Sequence, residues 1–446
     1  MEQTEEGKKI FHYGWIVIFT GLLAVIGSHG FGRMAYSLIL PDMAGGLGLN
    51  WTQAGLLGTA NFVGYLAFAL AGGYLASRYG SRKIITVSLL LIGVSLILTG
   101  SASTFRSTLV MRFLTGVGSG GVYIPAMALG SLWFTSRHRG LATGIVGGGP
   151  GIGVLLSGLI VPPILSTKSW TTAWYAMGIL VLLITCVSFI FLRDHPQETP
   201  AAKRITKEPP STDNVSNAPC RNAEASGSAA SPQLSEQNAA PWRFIYRRKE
   251  VWHLGCVYLM YGLSYVIYST FFHAFLNTEI GLSKGQSGAM WALAGSLSIF
   301  SAAMWGGISD LLGRKYGLCL VYLVNAVSYS LFYFSGSLKG YYFSVILFGL
   351  TLGGIPTIVA AATGDQTGPR LASTAMGFVT FFFGIGQVLG PIIGGFLTDY
   401  SGSFRIAYAV AGFFSLLGSA GSLFLKKPAS QEAISSEPIQ ECSEKY

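Results

Sequence analysis

The chain has 446 residues, of which 51% are hydrophobic and only 11% are charged. A soluble protein of this length carries about a quarter charged residues, so the composition excludes a soluble globular protein and indicates a polytopic membrane protein. The formal net charge of +10 does not point to a nucleic-acid partner, because the bases cluster at the ends of apolar runs and in one polar segment, as topology signals do. We therefore expect a lipid bilayer around this chain.

Residues 1–14 form a polar tail that is first acidic and then basic, with no small-residue cleavage site after a short apolar core. We therefore interpret the first apolar run as a retained span and not as a signal peptide. A span needs about 20 apolar residues. The sequence predicts twelve spans, at 15–40, 52–76, 83–102, 107–134, 140–164, 171–192, 250–274, 286–308, 315–336, 340–363, 371–397 and 404–425.

Residues 194–247 separate the sixth span from the seventh and are rich in Ser, Ala, Pro, Gln and Asn. Such a segment buries too little apolar surface to fold alone, so we predict a flexible linker. The resulting fold is an all-α membrane protein with twelve transmembrane helices in two six-helix bundles, 15–193 and 248–425, followed by a tail at 426–446.

The orientation follows from the placement of Lys and Arg. Few bases lie on one side of the predicted bundle, namely Arg106, Lys168, Lys284, Lys339 and Arg405. Many more lie on the other side, together with both tails and the linker. Because positive loops stay inside, we expect a multi-pass protein of the inner or plasma membrane with both termini cytoplasmic.

The two halves repeat at an offset of 233 residues. The segment "GGYLASRYGSRK", starting at Gly72, matches "WGGISDLLGRK", starting at Trp305, and "GIG" occurs at the same offset in the fifth and eleventh spans. We therefore predict two structural duplicates related by a pseudo-two-fold axis. Such duplication places a binding site near the midplane, between halves that rock against each other.

These repeated segments resemble the major facilitator superfamily of secondary transporters. The loop after the second span resembles that family's "GxLaDrxGrrk", the fourth span's "RFLTGVGSGG" resembles its "RxxxGxG", and "GGGPGIG" is similar to the Gly-Pro motif of antiporters. The resemblance covers nearly the whole chain except the tails and the linker, and it implies an alternating-access transporter. It assigns a gating role to Gly73, Ser77, Gly80, Arg82, Asp310, Gly313 and Arg314. Ser77 is a departure, because the family usually has Asp there, whereas Asp310 keeps that carboxylate.

The first span contains Arg33 within "SHGFGRMAYS". Of the 29 Lys and Arg residues, only Arg33 and Arg112 fall well inside predicted spans, where a charge is costly and usually faces an aqueous path. His29, Arg33 and Tyr36 can share one face of an α-helix. A guanidinium fits a carboxylate, sulfonate or phosphate bidentately, so we predict an anion site. The alternative is that Arg33 extends to the outer interface or bonds a carbonyl.

The segment "HGFGRMAYSLILP" also resembles the first span of the anion:cation symporter branch, "NYxDRxxLSxAxP", with Gly32 in place of its Asp. That resemblance implies organic-anion binding by Arg33 and weakens a carboxylate-driven proton mechanism. No Asp or Glu occurs between Asp42 and Asp194. If protons are coupled, His29 or the substrate's own acid group carries them, since histidine titrates near neutrality. Symport, exchange with a counter-anion and uniport stay open.

The remaining candidates are polar or aromatic. Arg112 adds a second charge to the cavity or bonds a neighbouring helix end, and the tyrosines of the seventh span either face the substrate or pack. The predicted substrate-binding set is completed by Tyr123, Asn61, Tyr65, Tyr265, Tyr268, Trp291 and Gln387.

Other motifs carry no chemistry. "GVGSGG" satisfies GxGxxG but lies within an apolar helix, where small residues allow helix packing. The five cysteines lack metal-like or disulfide-like spacing. No Ser-His-Asp, paired-carboxylate or HExxH arrangement appears, so we expect neither an enzyme nor a cofactor.

We predict a monomeric transporter of a small organic anion. The segment "GVYIPAMALGSLWFTSRHRGLATGI" resembles the monocarboxylate and oxalate/formate group, which favours a monocarboxylate, although that group often has an Arg in the eighth span and this chain has none there. The alternative is an exporter of drugs or hydrophobic compounds by cation antiport. A receptor that binds without translocating is a third class.

Overall fold

The computed structural model describes residues 2–134, 136–194 and 248–425. The predicted linker beyond Asp194 and the predicted tail 426–446 lie outside the described residues. Within these ranges the regular elements are helices.

Eleven helices in the described part of the chain are long and apolar enough to cross a membrane, and the second span, bent by 44° after Ala69, makes a twelfth. This count confirms the predicted number of spans. The spans run Tyr13–Leu47, Trp51–Tyr79, Ser81–Gly100, Phe105–Trp133, His138–Thr167, Trp170–Phe191, Lys249–Glu279, Lys284–Leu312, Arg314–Phe334, Leu338–Gly368, Leu371–Ser401 and Phe404–Leu423. Several exceed their predicted bounds, because helical hydrogen bonding continues past the apolar core to the capping residues.

Short polar motifs determine where several spans begin. The second, fourth and eighth spans each start with a capping box, on Asn50, Thr104 and Ser283. In such a box the cap residue and the residue three positions later satisfy each other's free backbone N–H groups. Gly80 and Gly313 have φ values of 94° and 88°, which only glycine adopts without strain. The repeated glycines are therefore required by the tight turns after the second and eighth spans.

The bundle has two ends, which we name by their residues. The terminal end carries Tyr13 and Leu423, and the distal end carries Leu47 and Phe404. At the distal end the two halves are tied by polar contacts. Lys284 Nζ lies 2.6 Å from Asp42 Oδ1. The carboxylate of Asp399 accepts hydrogen bonds from the first turn of the second span.

Glycines also allow close backbone contact between the halves. The fifth span packs on the eighth through Gly158, whose Cβ position would lie 2.7 Å from the backbone N of Ala292. Towards the terminal end this packing loosens. The distal part of the first span, Ala35–Leu47, packs on the seventh span, whereas the part that ends at Val25 packs chiefly on helices of its own half. The halves are therefore closed together at the distal end and looser at the terminal end.

Candidate functional site

The first span changes its winding at the segment that carries Arg33. Residues Ile26–Met34 form a π-helix between two α-helices. This winding has i→i+5 hydrogen bonds, is rare, and is frequent at functional sites. Gly30 faces Gly153 of the fifth span so closely that a Cβ on Gly30 would lie 2.5 Å from the Cα of Gly153. The glycines thus let the widened segment fit against its neighbour.

Arg33 lies at the boundary between the two halves and is 9% exposed. Its Nη2 donates a hydrogen bond of 3.3 Å to the Tyr265 hydroxyl in the seventh span. Its guanidinium carbon lies 4.1 Å from the ring centre of Phe62 and 5.5 Å from that of Tyr65, within cation–π range. Its Nε has no hydrogen-bond partner among the described residues. The guanidinium is therefore held by aromatic rings and still has donors to offer.

Arg112 supplies a second buried guanidinium and is 1% exposed. Its Nη1 donates to the backbone oxygen of Gly32 at 3.0 Å, and its guanidinium carbon lies 4.6 Å from the ring centre of Tyr36. Asn61 donates from Nδ2 to the Arg112 carbonyl at 3.2 Å. Arg112 thus bonds the backbone in the interior of the first span, and it also lines the cavity described next.

One cavity brings both guanidiniums together. It lies between the first, second, fourth and seventh spans, and five of the predicted residues line it: Arg33, Tyr36, Asn61, Arg112 and Tyr265. Six lining residues were not predicted, namely Met34, Ser37, Gly58, Phe62, Ser269 and Thr270. Ser37, Ser269 and Thr270 carry a detectable signal, since each is a polar residue inside an apolar span. Nothing in the sequence distinguishes Met34, Gly58 or Phe62 from packing residues.

The charge of this cavity is not balanced by nearby carboxylates. Within the described residues, neither arginine has a carboxylate oxygen within 4 Å, whereas Asp42 pairs with Lys284, and Arg314 pairs with Asp310 and Asp365. Burying a charge is costly unless it is paired. The cavity is therefore chemically suited to an anion.

His29 lies beside this cavity and does not line it. Its ring centre is 4.8 Å from that of Tyr123 and 6.0 Å from that of Tyr65, and its Nδ1 is 3.4 Å from the Ser28 hydroxyl. His29 and Arg33 thus meet at Tyr65, as a shared face requires. Tyr36 turns to Arg112 and donates its hydroxyl to the Ala54 carbonyl at 2.6 Å.

Three predicted residues are buried on spans of the second half and do not line the cavity. Tyr268 is 0% exposed, and its hydroxyl lies 3.1 Å from that of Ser344. Trp291 packs against Phe272 with ring centres 5.0 Å apart. Gln387 is buried on the eleventh span. Tyr268 and Trp291 contact aromatic neighbours within their own half, which a helical period alone does not reveal.

The predicted gating residues lie at the terminal end. Ser77 donates only to the Tyr74 carbonyl of its own helix, at 2.7 Å. A carboxylate instead comes from Asp194, which accepts from the backbone N–H of Arg82 at 2.8 Å. In the second half, Arg314 pairs with Asp310 and also with Asp365 at 2.9 Å. Gly73 lies near Ile124 of the fourth span.

The sequence model of the Major Facilitator Superfamily matches residues 22–315 and 254–440. A probable sulfoacetate transporter of Cupriavidus necator is 24% identical over 409 residues, covering 88% of this chain and 89% of that protein. A hexuronate transporter of Bacillus subtilis is 25% identical, covering 94% of this chain and 97% of its own length. A bacterial homologue of the lysosomal transporter Spinster superposes with a TM-score of 0.71 at 15% identity, over 93% of this chain and 97% of that one.

Proposed function

Because this chain belongs to the major facilitator superfamily, a family of transporters and not of enzymes, we propose that it carries a small, monocarboxylate-like organic anion by alternating access. Arg33 binds the anion's charged group. The observation that carries this proposal is the pair of buried guanidiniums, Arg33 and Arg112, which line one cavity and have no carboxylate partner in the described part of the chain. The printed names of the relatives support it, since sulfoacetate and hexuronate are organic acids.

The geometry suits an oxyanion. A guanidinium presents a planar fork of donors that pairs with carboxylate or sulfonate oxygens. Arg33 uses one nitrogen on Tyr265 and keeps Nε without a partner among the described residues. The positive charge of Arg112 adds to the attraction from the other side of Tyr36. An anion that enters the cavity offsets the cost of burying both charges.

We further propose that the terminal end faces the cytoplasm, because the bases concentrate there. The closed distal end and the looser terminal end then describe an inward-facing state. The cavity lacks a carboxylate to relay protons, so a proton, if coupled, travels on the substrate or on His29 beside Arg33. Exchange for a counter-anion and uniport are the other modes.

Uptake of labelled organic acids into proteoliposomes tests this proposal. The panel contains monocarboxylates, dicarboxylates and sulfonates, and compares wild type with Arg33→Gln and with Arg106→Gln. Arg106 is an exposed arginine at the distal end of the fourth span, so its variant controls for loss of a positive charge. We expect Arg33→Gln to lower uptake at least about tenfold and Arg106→Gln to leave it unchanged. Equal uptake by all three proteins would reject Arg33 as the anion site.

An exporter of drugs or hydrophobic compounds by cation antiport is a second candidate, favoured by one observation. Tyr258 and Phe383 stack with ring centres 4.4 Å apart, and Tyr261 stacks on Tyr265 at 5.2 Å. Such flat surfaces bind aromatic cations, but two buried arginines repel them. Including a lipophilic cation in the same assay separates the candidates, because proton-driven transport of that cation, with no acid uptake, would favour the exporter.

A further inference from the structure

The seventh span carries a polar side chain at every fourth position from Tyr265 towards the distal end: Tyr265, Ser269, His273 and Asn277. Tyr265 and Ser269 line the cavity, as does Thr270. At about 3.6 residues per turn, His273 projects between the directions of Ser269 and Thr270, one turn nearer the distal end. The cavity face therefore continues outward through His273.

His273 is buried without a partner for either ring nitrogen among the described residues, and it is 1% exposed. The Nε1 of Trp291, on the eighth span, is equally buried and unpartnered, and the two ring centres lie 5.5 Å apart at 73°. One turn further out, Asn277 is half-buried and its Oδ1 also has no partner in the described chain. Four unpaired polar atoms of the described chain thus lie along this route.

Aromatic packing explains the position of the two rings but not their unpaired nitrogen atoms. Burying an unpaired N–H costs free energy, and buried polar groups in folded proteins are nearly always paired. The neighbouring Phe272 shows that an apolar ring fits this region. The cluster lies towards the distal end, where Lys284 and Asp42 tie the halves together. Its donors are therefore closed off in the state that this structure represents.

We propose that His273 and Trp291 form a second anion subsite, which the substrate occupies when the distal end opens, before it reaches Arg33. This inference rests on the proposed function. An oxyanion accepts hydrogen bonds from Trp291 Nε1–H and from a ring N–H of His273. Ser269 and Thr270, one turn deeper, then lead it into the cavity of Arg33 and Arg112. The subsite selects for an acidic group at entry.

Thiol labelling tests the route without any need for a known substrate. Asn277→Cys, one turn outside His273, in a variant whose five native cysteines are serine, leaves both His273 and Trp291 in place. It is treated from the distal side with two impermeant methanethiosulfonates, one bearing a sulfonate and one a quaternary ammonium. Ser103→Cys, exposed at the distal end, gives the intrinsic ratio of the two reagents. We expect the sulfonate reagent to be favoured at position 277 by about tenfold over that ratio. No labelling from the distal side, or labelling without a charge preference, would overturn the subsite.

Trp291→Phe tests the hydrogen bond itself, because it keeps an aromatic ring and removes only the N–H and part of the ring. We expect the KM for entry from the distal side to rise about tenfold with an unchanged kcat, and the KM for exit from the terminal side to stay the same. His273→Gln, which keeps a donor, should retain a lower entry KM than His273→Leu. An unchanged entry KM, or equal changes in both directions, would overturn the proposal.

The two proposals fail in different ways. If Arg33→Gln transports organic acids like wild type while thiol labelling at position 277 prefers the sulfonate, the distal subsite stands and the role of Arg33 falls. If labelling shows no preference while Arg33→Gln abolishes uptake, the central site stands and the subsite falls.

Discussion

Asp399 is expected to hold the distal end closed, and Asp399→Asn should shift the protein towards the open state. Its carboxylate lies on the eleventh span, in the second half of the chain. It accepts from the backbone N–H groups of Trp51 and Thr52 at 2.9 and 2.7 Å and from the Thr52 hydroxyl at 2.6 Å. These contacts exist only while the two halves meet, so weakening them destabilises the closed distal end alone.

The magnitude follows from the contacts. A side chain that caps a helix N-terminus contributes about 0.5–2 kcal/mol, and a negative charge there adds about 0.3–1 kcal/mol. Asparagine keeps one acceptor oxygen and loses the charge, and Asp399 is exposed, so screening reduces the effect. We therefore expect a loss of about 1 kcal/mol, which raises the ratio of open to closed distal ends about fivefold.

Pulsed electron paramagnetic resonance measures this ratio with spin labels on Ser103→Cys and Gly336→Cys. Both positions are exposed at the distal end, one in each half, and a side chain at Gly336 meets no heavy atom within 4 Å. Glu279→Gln is the matched control, because Glu279 accepts from Ser403 at 3.0 Å within the second half. An unchanged distance distribution in Asp399→Asn, or an equal shift in Glu279→Gln, would refute the reasoning.

Three further results are expected. Arg112→Lys keeps the charge near Tyr36 but loses the planar stacking, so the KM for acid uptake should rise less than about tenfold. Arg112→Gln, which also loses the charge, should raise this KM more. An equal KM in both variants would show that the charge of Arg112 does not contribute to binding. Gly30→Ala places a methyl group 2.5 Å from the Cα of Gly153 and should destabilise the protein by about 1–3 kcal/mol, which is measured as a lower Tm in detergent. Gly45→Ala is the control and should not lower Tm, because a methyl group there meets no heavy atom within 4 Å. Lys284→Met removes the ion pair with Asp42, in which the two side chains are 35% and 28% exposed. The free energy of opening the distal end should therefore fall by less than about 1 kcal/mol. A fall of the same size in about 1 M salt would contradict an electrostatic tie.

The number of spans and their grouping in two halves were predictable, because each depends on runs of apolar residues and on repeated turns that need glycine. Gly80 and Gly313 illustrate this, since they occupy equivalent positions in the two halves of the repeat and both have positive φ values. The winding of the first span was not predictable. Its change to a π-helix over Ile26–Met34 occurs where Gly30 meets Gly153 of the fifth span, and composition does not record hydrogen-bond register.

For the candidate site, the sequence identified the charged residues better than their neighbours. Arg33 and Arg112 are costly inside a membrane whatever the fold, so each is visible in the sequence alone. Whether a tyrosine faces a cavity depends on partners that are distant in sequence. Tyr265 meets Arg33, whereas Tyr268 meets Ser344 in its own half. Similarly, Asp194 accepts a hydrogen bond from the backbone of Arg82, and no local motif near Ser77 signals that contact.

A thermodynamic cycle tests the central claim, that buried Arg33 binds the anion's charged group, most directly. The dissociation constants of the best-bound carboxylic acid and of its neutral amide are measured by calorimetry on purified wild type and on Arg33→Gln. If Arg33 pairs with the carboxylate, the acid's advantage over the amide should fall by about 1.5–3 kcal/mol, or about 10- to 150-fold in Kd, in the variant. An advantage of the same size in both proteins would show that the charge is recognised elsewhere.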